Sequence, residues 1–208
     1  LDTYSADRTF AADENLMNST RSTDFITPKS RVSKTFRNAV LDLAQHHAFA
    51  RRLVNSGRLS VPSFLTKSAL NTPDGDAFAG DMVPGAPMDD APIRVGERDG
   101  WLLDQVGNRF QLLVFADSAG AVDAATLAQF KSFAGDAIAV EPVVVTPSGG
   151  QMAGVTVLAD AQGLVARRYD AKPGTTYLIR PDQHVAARWR AFDPARVRAA
   201  VARATCNA

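Results

Sequence analysis

The stretch 175–190, TTYLIRPDQHVAARWR, leaves the chain few ways to fold. Thr176, Tyr177, Leu178 and Ile179 are β-branched or large and apolar, the residue types a half-buried pleated strand prefers. Pro181-Asp182 interrupts the run, because proline presets φ for a turn and offers no ladder donor. From His184 to Arg190 the text alternates with a period of two. Val185, Ala187 and Trp189 fall on one face, and His184, Ala186, Arg188 and Arg190 on the other. Phe192-Asp193-Pro194 then opens a helix, with Asp193 as its cap, Pro194 at the first helical position and Phe192 stapling back. Val197, Ala200, Val201 and Ala204 recur at helical spacing, so that helix can cover one face of the hairpin. The expectation is a buried Trp189 and an ordinary surface Arg188.

The elements upstream supply the rest of a sheet. Residues 110–115, FQLLVF, read as a buried strand, and 122–134 as a helix with Leu127, Phe130 and Ala134 inward. Residues 137–145, AIAVEPVVV, read as a second central strand, parallel to the first across a βαβ crossover. Residues 155–158 extend an edge, and 163–169 form one or two helical turns before Pro173-Gly174 and the hairpin. Trp101-Leu102-Leu103 is a short amphipathic element ahead of them all. The order β-α-β-α-β-β-α is that of a thioredoxin-like α/β fold. A hairpin followed by a terminal helix is its closing half.

The amino-terminal third has a different character. Leu1, Tyr4, Ala11, Ala12 and Leu16 recur at helical spacing with no capping residue before them, so residues 1–20 read as a helix that begins elsewhere. The expectation is a piece of a longer protein, with a processed amino terminus as the alternative. Thr27-Pro28 marks a second helix, whose stripe runs from Phe36 through Val40, Leu43, His47 and Ala50 to Val54, with Gly57 as its stop. Such a helix cannot bury its apolar stripe alone. Residues 71–92 hold four prolines and three glycines and no sustained period. The expected organisation is a helical segment over 1–70, a linker or lead-in over 71–92, and the thioredoxin-like domain over 93–208.

Bulk properties exclude several function classes. The chain has 208 residues and a formal net charge of +1, so no global field draws it to nucleic acid or to an anionic membrane. Its single cysteine, Cys206, allows no disulfide within the chain and fits a reducing, cytoplasmic compartment. A redox thioredoxin carries a thiolate at the start of the helix after its first strand. Here that position reads Ala116-Asp117-Ser118-Ala119-Gly120-Ala121, with no CxxC, and dithiol exchange is chemically excluded. Pro173 stands where such folds often carry a cis-proline, and a trans turn proline suits the sequence equally well. His46 and His47 point about 100° apart on a helix and make poor joint ligands, and with His184 they read as surface or core histidines. Ser148-Gly149-Gly150 reads as a turn. Arg188-Trp189-Arg190 has the composition of a base-stacking element, but Trp189 falls on the apolar side of the alternation, which favours a core tryptophan between surface arginines.

A family resemblance carries the function. The text RRYDAKPGTTYLIRPDQHVAARWR over 167–190 resembles the end of FAD-dependent aromatic ring hydroxylases of the phenol hydroxylase and 3-(3-hydroxyphenyl)propionate hydroxylase type. LDTYSADR over 1–8 is similar to the helix those enzymes carry after their last FAD-contacting motif. STDFITP over 22–28 and VPGAPM over 83–88 also look like theirs. The resemblance implies a parent enzyme in which NAD(P)H reduces FAD, the reduced flavin binds O₂, and the hydroperoxide transfers oxygen to a phenolic ring. It also implies missing flavin and substrate domains as partners, a possible homodimer, and a carboxy-terminal domain that is thioredoxin-like without redox cysteines. No GxGxxG loop opens a βαβ unit and no GD motif stands upstream of the LDTY helix, so no residue here is assigned a catalytic, cofactor-binding or metal role by motif. This portion would then serve packing and subunit contact. A free-standing thioredoxin-like scaffold module without redox activity is the competing reading. One departure concerns the hairpin turn, where relatives often place glycine after Pro-Asp and this chain has Gln183. A left-handed Gln183 costs about 1 kcal/mol, which predicts a turn of another type.

Overall fold

The computed structural model describes residues 2–54 and 62–207. They divide into two compact units, Leu1–Ser63 and Phe64–Ala208. In the first, α1 (Asp2–Ile26) runs six residues past the expected end. The next helix, α2 (Arg31–His46), starts at Ser30 rather than at Thr27-Pro28, because the Ser30 hydroxyl accepts the free backbone N–H of Ser33 at 3.0 Å. His47 is extended (φ −126°) and ends it, so the single helix expected through Val54 is two, the second being α3 (Ala48–Val54). The expected stop at Gly57 lies outside the described residues. Tyr4, Leu16, Val32, Phe36, Phe49 and Leu53 are all exposed on these helices.

The second unit is built on a sheet of seven strands. In chain order its elements are β1 (Pro92–Val95), β2 (Arg98–Trp101), α4 (Leu102–Gln105), β3 (Phe110–Phe115), α5 (Ala124–Ser132), β4 (Val140–Thr146) and β5 (Thr156–Ala159). Then follow α6 (Leu164–Arg168), β6 (Thr176–Ile179), β7 (Val185–Trp189) and α7 (Pro194–Ala204). The spatial order is β2-β1-β5-β4-β3-β6-β7. Strands β3, β4 and β5 are parallel, and β6 returns antiparallel on the other side of β3 to pair with β7. A βαβ crossover beside an antiparallel hairpin, closed by a terminal helix, is the thioredoxin-like arrangement. All six residues of β3 are buried, as a strand covered on both faces requires. The hairpin of β1 and β2 has no counterpart in the sequence reading: Trp101 closes β2, half exposed, and also caps α4. It also places β5 inside the sheet rather than at an edge.

Both faces of the sheet are covered. On one side α5 and α7 bring Phe130, Val197, Ala200 and Val201 against Leu112, Val144, Leu178, Ala187 and Trp189. On the other, Met82, Ala86 and Met88 join Leu102, Val165 and Tyr169 over Leu113, Val143 and Tyr177. Residues 71–92 are therefore a strap laid on the domain. Thr72 N donates to Ala186 O at 2.9 Å, Gly85 N to Val185 O at 2.7 Å and Val185 N to Ala86 O at 2.9 Å, which pairs the outer edge of β7. Gly85, at φ +92°, is required where it stands: a Cβ there would lie 2.4 Å from Leu65 O.

The strap overturns two expectations for the hairpin. Leu178 pairs with Ala187 but Ile179 with Val185, so Ala186 is an extra, bulged residue. The bulge breaks the alternation: Ala187 and Trp189 face α7 as expected, while Val185 joins the opposite cluster. Arg188 does point away from Trp189, but that face is under the strap and not in water. It is 4% exposed, its Nε and Nη2 donate to Asp74 at 3.0 and 2.7 Å, and its guanidinium lies 4.3 Å from the Phe78 ring. Arg190 stacks on the same ring at 3.7 Å and binds Asp170 and the carbonyl of Ala77. In the turn, Gln183 is left-handed after all, at φ +61°. Its Nε2 offsets that strain by donating to Leu103 O at 2.9 Å and Val106 O at 2.6 Å.

Urea unfolding tests this packing. Trp189→Ala leaves a cavity and is expected to cost about 3–5 kcal/mol. Arg188→Ala is expected to cost clearly more than the about 0.5 kcal/mol of a surface change, because the guanidinium is buried although its partner Asp74 is not. Asp74→Ala, which strands the guanidinium, should be no milder; a loss within about 0.5 kcal/mol, the range of surface changes, would contradict the clamp. At the turn, Gln183→Ala keeps the left-handed strain and loses both hydrogen bonds. It should be the less stable of the pair Gln183→Ala and Gln183→Gly by about 1 kcal/mol.

Candidate functional site

The parallel strands β3, β4 and β5 end together, and open α/β sheets bind ligands in the crevice outside such ends. After Phe115 the chain continues through Ala116, Asp117 and Ser118 into one 3₁₀ turn, Ala119–Ala121, before α5. Pro173 faces this loop across a cavity of about 250 Å³ lined by Phe115, Asp117, Val145, Asp160, Lys172 and others. No peptide bond among the described residues is cis, so Pro173 is trans. Gly174 N donates to Phe115 O at 2.8 Å, which ties the Pro173 loop to the end of β3. The Ser148-Gly149-Gly150 turn packs on the 3₁₀ turn after β3. Gly150 (φ +139°) comes so near that a Cβ would sit 2.8 Å from Ala119 Cβ. The thiol position of a redox thioredoxin thus falls at this crevice and carries Asp117 and Ser118. Cys206, the chain's one thiol, is exposed beyond α7.

The polar centre of the crevice escaped the sequence reading. Asp160 follows β5 directly and is 4% exposed. Its backbone N donates to Thr146 O at 2.8 Å, its carbonyl accepts from Gly163 N at 2.9 Å, and Oδ2 accepts from Ala166 N at 2.8 Å. Oδ1 is buried and meets no donor among the described residues. Asp117 and Lys172 stand exposed at the rim. The crevice has no nucleophile paired with a base.

Other singled-out residues are structural. Among the described residues no group of three or more His, Cys, Asp or Glu side chains could hold a metal ion. His46 and His47 end α2 and are exposed. Arg188, Trp189 and Arg190 are held in the packing described above, so the triplet offers no stacking surface. The long helices that follow α1 are capped by their own side chains, Ser30 on α2, Asp123 on α5 and Asp193 on α7, and an aspartate at a helix start repels phosphate.

His184 belongs to the turn. Burial alone would raise the Asp182 carboxyl, but the His184 hydrogen bond and the Arg180 guanidinium at 2.8 Å outweigh it and hold the group well below the usual carboxylate range. A depressed folded-state value stabilises the fold above the unfolded value of about 3.9, and that contribution is lost as pH falls through the folded value. Asp182→Asn is accordingly expected to flatten the acid limb of the stability–pH curve below about pH 4. An acid limb identical to the parent's would remove the carboxylate from this account.

The comparisons with known proteins bear on the whole chain. The flavin-dependent monooxygenase PieE, solved with FAD and substrate, superposes over 97% of this chain and 37% of its own at 19% identity and a TM-score of 0.56. The rebeccamycin biosynthetic enzyme RebC with reduced flavin does so over 100% and 36%, at 20% identity and 0.56. Aklavinone-11 hydroxylase, in a ternary complex with FAD and aklavinone, covers 98% and 39% at 16% identity and 0.50. At such identities the likeness establishes a shared fold, and the chain spans little more than a third of the length of these structures. No curated protein matches it. The family described as the HcaD C-terminal domain matches residues 91–204, more than half of the sequence. The chain belongs to the HcaD C-terminal domain family.

Proposed function

We propose that this chain is the carboxy-terminal portion of a cytoplasmic FAD- and NAD(P)H-dependent monooxygenase that hydroxylates phenolic or other aromatic compounds. Its own part is packing and subunit contact. The observation that carries the reading is the superposition of nearly the entire chain, helices included, on about a third of each flavin monooxygenase. The exposed apolar residues of α1, α2 and α3 support it. Side chains such as Val32, Phe36 and Phe49 gain roughly 1.5–3 kcal/mol each when a partner buries them fully. The flavin and substrate domains are the partner this reading assigns to them. The sheet unit, whose thiol Cys206 lies after α7 and away from the loop that follows β3, contributes no reacting group in this reading.

Two measurements test the proposal. Upstream of Leu1 the gene should continue in frame for about 350 codons, the length two further domains need, and should encode a GxGxxG loop opening a βαβ unit. A start codon immediately before Leu1 would overturn the parent-enzyme reading. The division of labour is tested separately by titrating the purified 208-residue chain with FAD. Flavin fluorescence should stay unchanged, whereas saturable quenching at micromolar FAD would place flavin chemistry in this portion.

A further inference from the structure

We propose that the groove holding Trp101 and Asp104, at the β2 end of the sheet, is a docking point for an arginine side chain of a polypeptide partner. The proposal is independent of the flavin reading. Residues directly opposite one another in an antiparallel pair project to the same face. The pairs Pro92↔Trp101, Arg94↔Asp99 and Arg94↔Ala159 therefore put these five side chains on one side of β2, β1 and β5. Ala159 shares that side with Val157, which belongs to the cluster under α5 and α7. Among the described residues that cluster takes in none of β1 or β2, so the helices leave this end of the face uncovered. An open groove of about 590 Å³ lies there, lined by Arg94, Asp99, Trp101, Asp104 and Gln162 among others.

Trp101 is 53% exposed, more than any other large apolar side chain described in the sheet unit. Arginines stack on Phe78 and Phe133, yet no cation of the described residues lies over Trp101, although an indole attracts a cation more strongly than a phenyl ring. Charge selects the occupant. Arg94 and Asp99 are joined at 3.3 Å, which leaves Asp104 as the uncompensated charge of the lining. Both Asp104 and Gln162 are exposed, and neither side chain bonds to another described residue. A guanidinium meets these groups together: it donates in its plane to a carboxylate while its flat face stacks on an indole, whereas an ammonium is a compact point charge with no such face. Small-molecule sites enclose most of their ligand, which an open groove does not. An arginine carried by a partner needs only one wall, and tryptophan and arginine are enriched where protein interfaces concentrate their binding energy. The Gln162 carboxamide offers both a donor and an acceptor to the peptide groups that flank such an arginine.

The test is an NMR titration of the full chain at pH 7 with a blocked tripeptide, glycine-arginine-glycine, followed at the two indole N–H signals. The Trp101 signal should shift saturably in the millimolar range, while that of Trp189, 5% exposed, stays in place. The citrulline tripeptide keeps the shape without the charge and should bind at least tenfold more weakly. The lysine tripeptide keeps the charge without the plane and should bind at least threefold more weakly. Asp104→Asn should weaken binding of the arginine tripeptide at least fivefold, and Trp101→Ala, followed at the Gly100 amide, should abolish it. Both positions are exposed, so neither change is expected to unfold the chain. Chloride of n-propylguanidinium separates the sources of the cation: weaker binding than the tripeptide, with Gln162→Ala costing affinity for the tripeptide alone, assigns the groove to a polypeptide. Equal affinity for n-propylguanidinium or for the lysine or citrulline tripeptide, non-saturable shifts, or binding untouched by Asp104→Asn and Trp101→Ala would overturn the proposal.

Discussion

Two guanidiniums two residues apart on a strand cannot lie against the covered face of a sheet unless carboxylates meet them there. Arg188 has Asp74 and Arg190 has Asp170, with Phe78 packed between the two cations, while Asp76 accepts from the backbone N of Arg190. The arrangement explains why the strap carries the acidic run DGDAFAGD at this point. It also couples distant parts of the chain: residues 74–78 are more than a hundred positions from the arginines they bind. Tyr177 and Tyr169 lie under the same cover, where burial raises both phenols, Tyr169 well above its ordinary value. Tyr177 donates to Tyr169 O and Tyr169 to Asp89 O, so the strap is also held from beneath.

What the sequence shows of such a fold depends on whether one face or two are covered. The strands β3, β4, β6 and β7, and the cap and staple of α7, are legible because apolar content and Asp193-Pro194 act locally. The parallel pairing of β3 and β4 follows from the length of the helix between them. Arg188 was misplaced because period-two logic assumes water on the second face, and the strap removes that water. The complementary signal was present in Asp74 and Asp76, but charge pairing across more than a hundred residues leaves no periodicity. The hairpin of β1 and β2 was missed for a related reason. Its text, IRVGERDGW, carries charge at alternate and adjacent positions, and only Ile93 in it is buried. Gln183 shows the opposite error. Backbone cost alone argued against a left-handed residue, while two side-chain hydrogen bonds to carbonyls near residue 105 outweighed it.

The same frame that serves redox chemistry elsewhere is retained here with its reactive position altered. The crossover still brings the loop after β3 up to the loop before β6, and the geometry still leaves a crevice between them. The groups placed there are acceptors of hydrogen bonds rather than nucleophiles. Asp160 was invisible in the sequence because a single aspartate after a short strand looks like any turn residue. Its burial comes from three separate elements, β4, β5 and α6, meeting around it.

The two edges of the sheet show how one chain protects open strands by different means. At β7 the strap supplies backbone partners, and the last antiparallel strand is no longer an edge. At β2 no segment of this unit adds a further strand, and the strand is instead only four residues long with Arg98 and Asp99 exposed on it. Short, charged edges resist pairing with other chains, whereas a long apolar one invites it. The hydrophobic content of the hairpin strand β7, with all five residues buried, is tolerable only because the strap precedes it in the chain and lies along its outer edge. A strap that must reach this strand from residue 71, across the sheet from where β1 begins, needs the bends that its glycines and prolines provide. Its composition therefore follows from the edge it covers.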